Sequence, residues 1–139
     1  MKKEEINALL EQLERDWPIV EIIAFNELNL SDKLQDWPYQ LIRFGDQLIR
    51  EKSKLNEIQE IKDKVDGEEY DLLKFHSDKL LTKQEIEQYY LPRNPKVMKV
   101  NRAIEKQSMV VEYFEKCVKV LDKQQWMAKL FQDDRKYSG

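Results

Sequence analysis

Five cations, Arg93, Lys96, Lys99, Arg102 and Lys106, recur at three- and four-residue spacing. At about 100° per residue on a helix, Lys99, Arg102 and Lys106 fall within roughly 60° of one another. Such a row tracks a phosphate backbone. It equally forms the charged flank of a coiled-coil seam, making ion pairs to a neighbouring helix. Only Glu105 interrupts it. A second basic group, Lys62-Asp63-Lys64, is crowded by Glu57, Glu60 and Asp66. By itself it reads as a solvated helix end, where the macrodipole favours cations. Four aromatics, Tyr70, Phe75, Tyr89 and Tyr90, form a third group. Exposed near cations, they would stack the bases of a single strand; buried, they would fill a core. His76 reads as a surface-loop histidine without a role.

Much other chemistry is excluded. One histidine and one cysteine cannot build a His/Cys zinc site. The chain contains neither GxGxxG nor GxxxxGK[ST], so it has no glycine-rich phosphate cradle. Nothing singles out an acid–base pair among 27 Asp and Glu residues. Binding, scaffolding and assembly are therefore the expected classes, with no catalytic activity, cofactor or metal. A lone Cys117 cannot form an internal disulfide, which fits a reducing compartment. No apolar run approaches the roughly 18 residues that cross a bilayer, and no apolar signal core follows Met1-Lys2-Lys3-Glu4-Glu5. The expectation is a protein that is neither membrane-bound nor secreted.

The charge of −3 is uneven. Residues 1–92 hold 13 Lys/Arg against 21 Asp/Glu, a balance of −8, and residues 93–139 hold 11 against 6, a balance of +5. That asymmetry fits an anionic partner for the last third, self-association between unlike surfaces, or simply a lysine-rich solvated helix.

The elements that must position these groups are helical. With 139 residues, 3 Gly and 4 Pro, the chain is one domain's worth and poor in turn residues, which argues against an all-β fold. Ile6, Leu9, Leu10 and Leu13 form one stripe of a helix over 3–15, ended by Asp16-Trp17-Pro18. Residues 19–25 have strand propensity but no partner strand, so a short buried helix or an extended arm added to a neighbour is expected. Trp37-Pro38 predicts another interruption. A helix over 39–65 carries Leu41, Leu48 and Leu55 at seven-residue spacing, with Gly45 inside. Gly67 is expected to end it as a left-handed cap, and residues 68–81 are expected to be irregular. Thr82 to Glu85 is a capping box opening a short helix through Tyr90. After the Leu91–Pro95 turn, Asn94 caps and Pro95 starts the last long helix.

That helix carries the strongest pattern. Val97, Val100, Ile104, Gln107, Val111, Phe114, Val118, Leu121 and Gln125 alternate three- and four-residue steps for about four heptads. Ala103, Val110 and Cys117 widen the stripe, and Cys117 reads as a small buried hydrophobe. The seam fits either an oligomer interface or the buried helix of a bundle. Trp126, Met127, Leu130 and Phe131 follow as a bulky group, and Asp133-Asp134-Arg135-Lys136 is expected to close the helix.

The layout resembles the UvsY-type recombination mediator proteins of T4-like bacteriophages. The likeness is best from Lys83 onward: K-Q-E-I-E-Q-Y-Y-L, P-R-N-P-K-V-M-K-V, V-V-E-Y-F-E-K-C-V-K-V-L, W-M-A-K-L-F and a final R-K-Y-S-G. It is looser at Asp16-Trp17 and Pro38-Tyr39. It implies a mostly all-α protomer with a long C-terminal coiled-coil-like helix, assembling into a ring-like homo-oligomer, heptameric in that family. The implied partners are single-stranded DNA, a RecA-like phage recombinase and the phage single-strand-binding protein, in the cytoplasm of the infected bacterial host. The implied task is to load the recombinase onto DNA already coated. The family's basic K-x-R before a tyrosine pair and a glycine maps onto Lys62, Lys64 and Gly67; Glu68-Glu69-Tyr70 stands where the tyrosine pair would be. The candidate DNA-binding set is thus Lys62 and Lys64 from the resemblance, and Arg93, Lys96, Lys99, Arg102 and Lys106 from spacing. The candidate oligomer seam is Val97, Val100, Ile104, Val111, Phe114, Val118 and Leu121. The rival readings are a helical interaction scaffold without nucleic-acid affinity, for which the acidic charge speaks, and a small metal- or carboxylate-dependent enzyme, for which no motif speaks.

Overall fold

The computed structural model describes residues 1–138, with side chains described through Asp134. Among the described residues there are helices and no strands: α1 (Lys3–Asp16), α2 (Ile19–Ile23), α3 (Leu30–Phe75), α4 (Lys83–Glu85), a π-helical turn (Ile86–Tyr90), α5 (Leu91–Arg93) and α6 (Pro95–Ser138). Among the described residues no helix is long and apolar enough to cross a membrane. The chain divides into two compact units: one of Met1 with Lys52–Met109, the other of Lys2–Glu51 with the chain from Val110 onward.

The second unit holds the main core. Leu30, Trp37 and Phe44 of α3 meet Val110, Phe114, Cys117, Leu121 and Ala128 of α6, with Leu9, Leu13, Ile19, Ile22 and Ile23 packed around them. Trp17 has left the α region ahead of Pro18, and its N–H closes α1 on the Leu13 carbonyl at 2.8 Å. Its ring stands edge-on to Phe44 and Phe114, at 5.0 and 5.1 Å between centroids, and the Arg43 guanidinium covers it at 4.3 Å. The apolar segment 19–25 is the short helix α2 followed by Phe25, packed in this core by its own chain. Its last carbonyls are met by side chains. Trp37 Nε1 donates to Ile22 O at 2.6 Å, Lys33 Nζ to Glu21 O at 3.2 Å, and Gln124 Nε2 to Ile23 O at 3.1 Å.

Two expected interruptions are absent. Helix α3 runs through Trp37-Pro38. An internal proline costs roughly 3 kcal/mol, but burying an indole recovers about 4–6 kcal/mol at roughly 25 cal/mol per Å². Trp37 is fully buried and Pro38 exposed. Gly67 does not cap the helix either: its φ is not positive, and α3 continues to Phe75. The added turns are anchored by Glu69, which is buried and accepts from Asn94 Nδ2 at 3.0 Å and pairs with Lys96 Nζ at 3.4 Å. The irregular segment shrinks to residues 76–82. At the other end, α6 continues beyond Arg135-Lys136, and Gly139 lies outside the described residues.

The seam of α6 is buried or half-buried along its length. Val97, Val111, Phe114 and Leu121 are buried; Val100, Ile104, Gln107, Val118 and Gln125 are half-buried. Its Phe114, Val118 and Leu121 pack inside this chain's own core. Of the flanking residues, Val110 and Cys117 are buried, but Ala103 is exposed.

Two measurements check this account. Trp37→Phe keeps a ring but removes the indole donor, and should lower the urea-denaturation stability by about 1–2 kcal/mol. Burial pushes the Cys117 thiol up to about 11, and burial also raises the neighbouring Tyr113 hydroxyl. The uncharged thiol is favoured in the fold, so its contribution is fully present below its ordinary value of 9.0 and lost as pH rises through about 11. The denaturation midpoint should fall across that window, less so in Cys117→Ala.

Candidate nucleic-acid interface

In the unit of Lys52–Met109, residues 62, 66, 70 and 74 of α3 are spaced at i,i+4 and so share one helix face. Lys62, Asp66, Tyr70 and Lys74 line one wall of a groove of about 770 Å³, joined by Gly67. Lys83, Glu87, Leu91 and Pro92 line it from the other side, and Val97 and Asn101 of α6 close it. Three ammonium groups and one phenol ring thus converge on one concavity, with two carboxylates among them.

Local rules fix each wall. Thr82 caps α4, its Oγ1 accepting from Glu85 N–H at 3.2 Å, and this sets Lys83 in the first turn. The π-helical turn that follows, closed by Leu91 N–H on Ile86 O, buries Ile86 completely. Asn94 Oδ1 accepts from Lys96 N–H at 2.9 Å and Val97 N–H at 3.3 Å, capping α6 as the sequence requires. Val97, buried, then forms the groove's apolar base.

Within the groove, Lys62 Nζ pairs with Asp66 Oδ2 at 2.6 Å, and Asp66 Oδ1 is buried with no donor. Lys74 Nζ lies 3.5 Å from the Tyr70 hydroxyl and 5.6 Å from its ring centroid. A Cβ added at Gly67 would meet nothing within 4 Å. A glycine inside a helix costs about 1 kcal/mol relative to alanine. No close contact requires this one; what it leaves is space.

The other expected cations are elsewhere. Lys64 is exposed and, two residues from Lys62, projects about 200° around α3. Arg93 lies over the Tyr89 ring at 4.0 Å and donates to Tyr89 O at 2.9 Å; that ring stands edge-on to Tyr90 at 5.0 Å. Lys96 is tied to Glu69. Lys99, Arg102 and Lys106 are exposed and occupy the side of α6 away from Val97 and Asn101. Glu105, the acid in that row, accepts from the Met1 amino group at 3.0 Å. Phe75 and His76 are exposed outside the groove. The groove therefore unites Lys62 and Tyr70 with Lys74 and Lys83, which sequence reasoning missed. The i,i+4 series from 62 to 74 is legible only if the helix continues past Gly67.

Among the described residues no group of three His, Cys, Asp or Glu could hold a metal ion. In the other unit, α6 exposes Trp126, Met127 and Leu130, at 62%, 55% and 49%. Comparison with protein-family models, curated proteins and solved structures returns no match.

If Gly67 is present for space and not for backbone freedom, Gly67→Ala should raise stability by about 0.5–1 kcal/mol in urea denaturation. A loss of stability would show that the site is closer packed than this geometry.

Proposed function

We propose that this chain is a recombination mediator of the UvsY type: it binds single-stranded DNA and helps load a RecA-like recombinase onto DNA coated by single-strand-binding protein, in phage homologous recombination and repair. The observation that carries this reading is the groove that Lys62, Lys74 and Lys83 line together with Tyr70, with Lys74 beside its ring. Cations beside an accessible aromatic are the elements of single-strand binding. The resemblance from Lys83 to the chain end supplies the task and the partners. In this reading the protein acts without catalysis or cofactor, in the host cytoplasm, and as a homo-oligomer. Self-association is supported by the exposed Trp126, Met127 and Leu130. Because the chain carries −3 overall, affinity must come from local cations, multiplied by repeating the groove around an assembly.

A helical interaction scaffold without nucleic-acid binding is the second reading. The same exposed apolar face of α6 and the net acidity favour it.

Fluorescence anisotropy with a labelled oligonucleotide separates the two. The expected result is sequence-insensitive binding that weakens steeply with salt, each phosphate contact releasing about 0.7 of a counterion. Lys74→Ala with Lys83→Ala should lower affinity about tenfold or more at low salt and reduce the salt slope by about 1.4, with the sedimentation coefficient unchanged. Asp66→Asn, which frees Lys62, should tighten binding. Lys99→Glu with Arg102→Glu tests the opposite side of α6: if it abolishes binding while the groove variants leave it intact, the row is the interface. No binding by the intact assembly at low salt leaves the scaffold.

A further inference from the structure

We infer that the groove between α3 and the segment from Lys83 to Pro92 seats a single unstacked base of the strand: Tyr70 provides the stacking face, Lys74 and Lys83 hold the flanking phosphates, and Gly67 keeps the space open. The inference rests on the single-strand reading and specifies how one nucleotide is held.

Four observations lead there. First, the aromatic rings of this chain mostly have ring partners, as at Trp17–Phe44 and Tyr89–Tyr90, but among the described residues none is paired with Tyr70. Its ring lines a concavity half-buried, with the Lys74 ammonium at its hydroxyl edge. An aromatic without a ring partner beside a cation is a stacking platform for a base and its phosphate. Second, the groove's volume of about 770 Å³ suits a small organic ligand, and open walls leave room for a strand to enter and leave. Third, the helix carries glycine where any Cβ would stand in open space on the groove wall. A larger residue there would take up groove space. Fourth, Asp66 and Glu87 line the groove with the three lysines. Two carboxylates make poor company for a bare polyanion. A base fits better: its π face is neutral, its N–H groups can face an acid, and its phosphates lie outside, toward Lys74 and Lys83. A base inside a duplex remains stacked on its neighbours and cannot enter, so the site selects single strands by access.

The experiment compares two labelled oligonucleotides of equal length on the full chain: one of thymidylate, one with abasic residues throughout. Both carry the same phosphates. The wild-type chain should bind the thymidylate strand about tenfold more tightly, within the range of base–aromatic stacking. Tyr70→Leu should remove that preference, weakening the thymidylate strand about tenfold and leaving the abasic strand unchanged, while Tyr70→Phe retains it. Gly67→Leu should act like Tyr70→Leu by filling the groove, and it carries the same test if Tyr70→Leu fails to fold. Lys74→Ala and Lys83→Ala should weaken both strands alike. Equal affinity of the wild-type chain for the two strands, or equal losses on both with Tyr70→Leu and Gly67→Leu, overturns the seated base and leaves single-strand binding through the lysines intact. Binding of neither strand by the wild-type chain overturns both.

Discussion

A five-residue helix cannot satisfy its own carbonyls, and the unit around Phe44 and Phe114 is arranged around that deficit. Helix α2 ends with the oxygens of Glu21, Ile22 and Ile23 facing protein. An unpaired carbonyl in such a place costs on the order of 1–3 kcal/mol. Lysine, tryptophan and glutamine side chains from α3 and α6 supply the donors, so the segment that most resembles a strand is drawn back into its own chain. Trp37 has two tasks at once: its ring fills the core and its N–H closes α2. Once it is placed, Phe25 packs edge-on at 5.9 Å and the proline beside it is carried inside α3.

The legible parts of the fold are those governed by short-range rules. The Thr82 cap, the Asn94 cap, the break at Trp17-Pro18 and the three-four alternation of the α6 seam each depend on residues within a turn or two. The misread positions, Pro38 and Gly67, are of another kind. Each carries a genuine local penalty, and each is overruled by a contact distant in sequence: Trp37 with Ile22, and Glu69 with Asn94 and Lys96. Propensity cannot see such contacts. The candidate site inherits the second error. Ending α3 at Gly67 separates Lys62 from Tyr70 and Lys74 and hides the i,i+4 series that joins them.

Spacing also overstated the unity of the basic residues. A period of three to four places charges along one helix but not along one site. Lys99, Arg102 and Lys106 share a side of α6; Arg93 is folded onto Tyr89 and Lys96 onto Glu69. The first ties α5 to the π-helical turn and the second ties the start of α6 to α3. The residues that line the groove come from four separate stretches of sequence, each too sparse to be read as a motif.

The π-helical turn at Ile86–Tyr90 has a quieter effect. Its wider hydrogen-bonded loop accommodates one residue more than an α-helical turn, which rephases whatever follows by about 100°. Leu91, Pro92 and the Asn94 cap all lie downstream of that offset, whereas Lys83 lies upstream of it. The angular phase between the lysine on one wall and the start of the last helix is therefore set by a single surplus residue. Removing one residue between Ile86 and Tyr90 would leave the composition and charge nearly unchanged, yet it would swing Pro92 and the cap around the axis. In this unit, shape is encoded by counting.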